Sequence, residues 1–168
     1  FTAFASNWVQ WPGLFGRDGL EPAADFLRAT PAFSVGTWTA WAGEDVDTLL
    51  EANCLAGMAL ASVAFVALPT APVFALLWLA YLSLYSVGQT FLSVQWDILL
   101  LEAGALAVFY APLLPCPPAW SRARTARWGV LFLFFKLMLM SGVVKVQAQC
   151  PTWQDLTALR YHFATQCL

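Results

Sequence analysis

The strongest constraint on this chain is where its charges are missing. No Asp, Glu, Lys or Arg occurs from residue 52 to residue 96, a run of 45 residues. A helix crossing the hydrocarbon core of a bilayer needs about 20 apolar residues. The run therefore holds two crossings, and it is divided where two would divide, at Pro69-Thr70-Ala71-Pro72. A second charge-free run covers 103–121. Hydrophobic residues make up 60% of the 168 and charged residues 11%, less than half of the about 25% usual for soluble domains. A soluble fold of this size leaves too much of its chain exposed to hide that apolar surface. The reading is all-α: a polytopic transmembrane helix bundle, with about four complete helices and the end of a truncated first one. Membrane lipids are the partners this implies. The net charge of −2 gives no basic field for nucleic acid.

The organisation follows from the punctuation. Residues 1–10 read as the last turns of a crossing whose start is missing, because they are apolar and carry neither an initiator Met nor a basic leader. Trp11-Pro12-Gly13 is expected to stop that helix, since Pro cannot donate and Gly permits a turn. Residues 11–48 form a polar and aromatic loop, and residues 49–145 the transmembrane helical domain. Its helices are expected at 49–68, 72–88, 97–114 and 128–145. The segment 89–96 is either a re-entrant loop or a continuation of the helix before it. Residues 146–168 are a polar tail leading to a missing C-terminal region. Arg122, Arg124 and Arg127 in the short loop 115–127 place that loop on the cytoplasmic side. By alternation, 11–48 and 146–168 face the opposite side. Arg17, Arg28, Lys145 and Arg160 weigh against this orientation.

Few side chains carry chemistry. Asp97 and Glu102 fall at the start of the fourth helix and Lys136 near the middle of the fifth. A charge at the centre of a crossing costs roughly 2.5–3.5 kcal/mol on insertion scales, so such groups face protein and find partners. Glu102 and Lys136 read either as a structural pair between neighbouring helices or as part of a relay or substrate site, and the pair is the simpler account. Asp97 reads as an interfacial helix cap. Tyr81, Tyr85 and Gly88 share one helix face: a bundle-packing face first, a pocket for a lipid or a client segment second. Gly57 with Ala61, and Ala103 with Ala107, are small-residue packing pairs. The single His162 has no nucleophile motif near it. The four cysteines, Cys54, Cys116, Cys150 and Cys167, show no C-x-x-C spacing. Neither a metal site nor a cofactor is expected, and no catalytic residue is assigned.

Several blocks go further. Pro12-Gly13-Leu14-Phe15-Gly16-Arg17-Asp18-Gly19 resembles the first lumenal loop of the lipase maturation factor family. Tyr81-Leu82-Ser83-Leu84-Tyr85-Ser86-Val87-Gly88-Gln89, followed by Phe91 and Gln95-Trp96-Asp97-Ile98-Leu99-Leu100-Leu101-Glu102-Ala103-Gly104, is similar to that family's central block. Ser141-Gly142-Val143-Val144-Lys145, Cys150-Pro151-Thr152-Trp153 and the stretch from Leu156 to Cys167 complete the resemblance, in order along nearly the whole chain. It implies a multi-pass protein of the endoplasmic reticulum membrane, not an enzyme, that helps secreted lipases of the lipoprotein lipase class reach an active, assembled state. With residues 146–168 then in the oxidising lumen, Cys150 and Cys167 are expected to form a disulfide. Trp153, Tyr161 and His162, with Trp38, Trp41 and Phe163, become candidates for contact with clients. Two positions depart from the family pattern: Glu21 where an apolar residue is expected, and Lys136 where Arg is expected. A more distant likeness to the membrane domain of vitamin K-dependent carboxylases suggests an intramembrane enzyme using Lys136, Glu102 or His162. A lipid- or quinone-shaped cavity between the third, fourth and fifth helices would favour that alternative.

Overall fold

A computed structural model describes residues 1–29, 45–113 and 120–165, with side chains from Arg124 onward in the last stretch. Helix is the only regular structure among the described residues, with no strand: α1 (Thr2–Leu14), α2 (Ala23–Ala29), α3 (Val46–Val66), α4 (Ala71–Val87), α5 (Gln89–Leu92), α6 (Gln95–Tyr110), α7 (Trp120–Gln147), α8 (Pro151–Gln154) and α9 (Ala158–Thr165). Two of these helices are long and apolar enough to cross a membrane, Val46–Val66 and Arg124–Gln147. α4 has 17 residues, about 25 Å at 1.5 Å per residue, somewhat short of an about 30 Å hydrocarbon core.

The chain divides into two compact units, Phe1–Ala126 and Arg127–Leu168. In the first, α1, α3, α4 and α6 pack as a series of antiparallel neighbours. Phe4 of α1 meets Gly57 of α3, and the Arg17 backbone N–H donates to the Asp47 carboxylate at 3.2 Å. Asn53 Nδ2 of α3 donates to the Ala80 carbonyl of α4 at 3.0 Å. Between α4 and α6 the ladder runs from the Ala71 N–H on Pro112 O at 2.8 Å through Trp78 Nε1 on Leu101 O at 2.9 Å. The buried core gathers at one end of this series, around Trp11, Phe15, Leu50, Cys54, Leu84 and Val87. At the other end Phe65, Val66 and Phe109 are exposed, the arrangement of a bundle whose outer solvent is lipid.

Several boundaries differ from the sequence reading. Pro12 does not stop α1, which runs to Leu14; Pro forfeits one N–H bond but its φ is helical. The turn comes after it, where Gly16 N–H donates to Trp11 O at 2.8 Å and Glu21 N–H to Leu14 O at 2.9 Å. The loop 11–48 contains α2. Residues 89–96 are neither a plain loop nor a continuation of the helix. Gln89 takes φ 46°, the left-handed region that ends α4, and one turn of helix follows before α6 begins. The fourth helix ends at Tyr110 rather than Leu114, with Ala111 extended before Pro112. The fifth begins at Trp120 rather than at Trp128, so Arg122, Arg124 and Arg127 lie on its first turns and not in a loop. Arg and Ala are good helix formers and nothing in 120–127 breaks the pattern.

The second unit carries α7 beyond Ala126, then α8 and α9 in what the sequence suggested as a tail. Lys145 Nζ sits 5.0 Å from the Trp153 ring centroid, a cation–π contact that ties the end of α7 to α8.

Candidate functional site

Within the first unit, the described polar side chains converge most closely where α1, α4 and α6 meet. Asp97 is the third residue of α6, with Val94 in the cap position. It is therefore not the helix cap; it is a first-turn acid, where the aligned backbone amides favour negative charge. The antiparallel packing of α4 on α6 brings the eleventh residue of α4, Tyr81, opposite it. The Tyr81 hydroxyl donates to Asp97 Oδ1. Tyr81 is 5% exposed and Asn7 8%. The Asn7 amide lies beside the same phenol and donates to the Ala3 carbonyl at 3.0 Å. The Phe4 ring meets the Tyr81 ring edge-on, 5.6 Å between centroids at 86°. A hydroxyl removed from water is costly unless bonded, and a hydrogen bond to a charged group contributes about 1.5–3 kcal/mol. Measured values inside membrane bundles run lower, about 0.6 on average and about 1.7 at most.

Tyr81 also lines two open clefts. One, of about 280 Å³, is apolar and is walled by Phe74, Leu77, Trp78, Leu101 and Gly104. The other, of about 450 Å³, is more polar and is lined by Ser6, Asn7, Gln10, Trp96 and Asp97. Ala3, Tyr81 and Leu100 border both. Among the described residues the walls come from α1, α3, α4, α5 and α6 and carry no Lys, His or Cys. Among the described residues no group of three or more His, Cys, Asp or Glu is placed to hold a metal ion. The site has hydrogen-bond acceptors and donors beside an apolar cleft. Such an arrangement is suited to holding and orienting a bound group.

The remaining sequence candidates lie elsewhere. Glu102 is on α6 in the first unit, while Lys136 on α7 and His162 on α9 are in the second. His162 packs its ring against Phe163, 6.0 Å between centroids. Trp153, Tyr161 and Phe163 are exposed in their unit. Cys54 is fully buried, as a small hydrophobe would be. Cys150 forms no disulfide among the described residues, and its Sγ lies 3.0 Å from the Thr152 hydroxyl. That hydrogen bond holds the Cys150 thiol below the ordinary thiol range. Cys116, Cys167, Trp38 and Trp41 lie outside the described residues. The Tyr81–Asp97 pair was missed by the sequence reading, which placed each residue on its own helix. The signal that would have found it is a turn midway between them: a hairpin folding near residue 89 sets 81 opposite 97.

Residues 1–168 match the lipase maturation factor transmembrane domain family. Lipase maturation factor 2 of Xenopus laevis is 44% identical over 99% of this chain and 26% of its own length. The human protein of that name is 42% identical over 99% of this chain and 27% of its own. Lipase maturation factor 1 of the mouse is 31% identical over 99% of this chain and 32% of its own. The chain thus spans about a quarter to a third of the length of these curated relatives. No solved structure matches it.

Proposed function

Since this chain belongs to the lipase maturation factor family, we propose that it forms the membrane-embedded part of a factor of the endoplasmic reticulum. That factor brings secreted lipases of the lipoprotein lipase class to their active, assembled state and catalyses no reaction itself. The observation that carries this reading is the match along the whole chain, residues 1–168 to the family domain and 40–44% identity to proteins named lipase maturation factor 2. The blocks that carry the sequence resemblance have structural roles here. Pro12–Gly19 forms the turn that Asp47 holds, and the central block supplies the packed faces of α4 and α6. Exposed aromatic rings on α8 and α9 suit transient grip on a partner, because they bury much area at low entropic cost. In this reading residues 11–48 and 146–168 face the lumen. A glycosylation sequon introduced near Thr152 in the full-length protein then acquires a glycan.

The decisive experiment deletes the gene in a cell line that secretes lipoprotein lipase and restores the full-length protein. Deletion is expected to lower secreted lipase activity per molecule of lipase made, and restoration to recover it. Unchanged activity after deletion removes the lipase client.

A further inference from the structure

We propose that α9 lies on the bilayer surface beside the exit of α7, with Leu159 and Phe163 sunk into the headgroup–acyl boundary and Arg160 at the phospholipid phosphates. The second unit sets the depth. α7 is long and apolar enough to cross a membrane, and Phe132, Phe135 and Met138 along it are exposed. Between Arg127 and Lys145 the one charged residue is Lys136. From Arg127 to Lys145 is about 27 Å of helix, close to the about 30 Å of a hydrocarbon core, so Lys145 stands at the membrane boundary. Trp153 is held there, its ring centroid 5.0 Å from Lys145 Nζ, at the level where Trp rings gather. α9 stays near that level. The Thr157 N–H donates to Thr152 O at 2.9 Å and the Arg160 N–H to Thr157 O at 3.0 Å, so α9 starts directly beyond α8. Its 8 residues span about 12 Å.

The faces of α9 fit that place. Leu159 and Phe163 stand four residues apart and so share one side of the helix; they are 56% and 72% exposed. Successive residues turn by about 100°, so Arg160 and His162 flank this stripe, one on each side, and Tyr161 lies opposite it. A long cation beside an apolar stripe covers hydrocarbon with its stem and keeps its charge at the polar surface. The His162 ring packs against Phe163, 6.0 Å between centroids, which widens the apolar side. Just before α9, Leu156 is 86% exposed in a left-handed turn, φ 56°. Large apolar side chains exposed on one face of a short segment with a basic flank mark a helix lying in a membrane interface. A bilayer is already at this depth through α7, whereas a covering protein would have to be brought there. The proposal needs only that α7 crosses the membrane. It does not depend on the lipase client, and it leaves Tyr161 on the side open to one.

The full-length protein in phosphatidylcholine nanodiscs provides the test. A phosphatidylcholine carrying a diazirine near the carbonyl end of one acyl chain is photolysed with the unaltered protein. Labelling is expected at Leu159 and Phe163 and not at Tyr161. In a second measurement a small fluorescent amino acid replaces Leu159, Tyr161 or Phe163 singly, and the nanodisc lipid is exchanged for one brominated near the top of its acyl chains. Emission at 159 and 163 is expected to fall, while that at 161 holds. Arg160→Glu sets a carboxylate against the phosphates and is expected to lower the label at Phe163; an unchanged label removes the phosphate contact. An unlabelled α9 whose emission bromine leaves unchanged, as a covering protein segment or a helix standing in water would give, overturns the proposal. Tyr161 labelled as strongly as Phe163 does so too. The label on the unaltered protein decides it even if a replacement disturbs the fold.

Discussion

Replacing Gly57 by alanine probes whether the first unit is assembled as described. A Cβ on Gly57 would lie 2.4 Å from Phe4 Cδ1, 2.5 Å from Cε1 and 2.6 Å from Cγ. Carbon atoms in contact sit about 3.5–4.0 Å apart, so the ring must move by about an ångström. Phe4 is buried and stacked edge-on against Tyr81. The ring therefore yields only by leaving Tyr81 or by parting α1 from α3. Overpacking of this kind costs about 1–3 kcal/mol, and loss of the aromatic pair adds about 0.5–1.5. Helix propensity works the other way, favouring Ala over Gly by about 1 kcal/mol. The expected net loss is about 1–3 kcal/mol, read from reversible unfolding of the full-length protein in mixed detergent micelles. Phe4→Leu shortens the obstructing ring, so the double variant should be less unstable than the sum of the two singles by at least about 1 kcal/mol. A neutral or stabilising Gly57→Ala, as at an exposed helix position, or strict additivity with Phe4→Leu refutes the packing.

Tyr81→Phe and Asp97→Leu should couple by about 1 kcal/mol in the same unfolding assay, and no coupling would mean the hydroxyl and the carboxyl do not meet. The sequence-based pairing of Glu102 with Lys136 predicts that each single change to Leu costs more than the double, by about 1–2 kcal/mol; additive losses end it. The lowered Cys150 thiol keeps its thiolate to lower pH than an ordinary cysteine, so its alkylation after reduction should have a low midpoint, and Thr152→Ala should raise that midpoint. Mass spectrometry of the non-reduced protein should find Cys150 linked to Cys167, and a Cys150 peptide linked elsewhere excludes that bridge.

Charge and hydropathy made the bundle legible, because a crossing helix must be apolar along its whole length. The two charge-free runs became α3, α4 and α6 within a few residues of the expected limits. What misled were local signals with more than one outcome. Pro12 is compatible with a helix interior at the cost of one bond. The basic residues at 122–127 mark a membrane side but say nothing of whether the backbone there is helix or loop. The site was less legible still. Asp97 was singled out as a cap and Tyr81 as a packing residue, and neither sequence neighbourhood names the other. Their meeting depends on tertiary packing, which no local periodicity encodes.

That meeting follows from the break between α4 and α6. On one uninterrupted helix, Tyr81 and Asp97 would stand about 24 Å apart along the axis. The left-handed turn at Gln89 is a conformation that costs a non-glycine residue about 1–3 kcal/mol unless its surroundings hold it. Here the Gln89 side chain donates to the Glu21 carbonyl at 3.2 Å, and the Glu21 N–H in turn donates to Leu14 O at 2.9 Å. The Arg17 backbone next to it is held by Asp47 at the start of α3. The first-loop block and the central block, far apart in sequence, are thus one hydrogen-bonded corner that turns α4 back as α6. The corner sets the register of α6 on α4, and that register decides whether Asp97 reaches Tyr81. The strain at Gln89 is held by that corner, and Tyr81 meets Asp97 only when the chain folds back there.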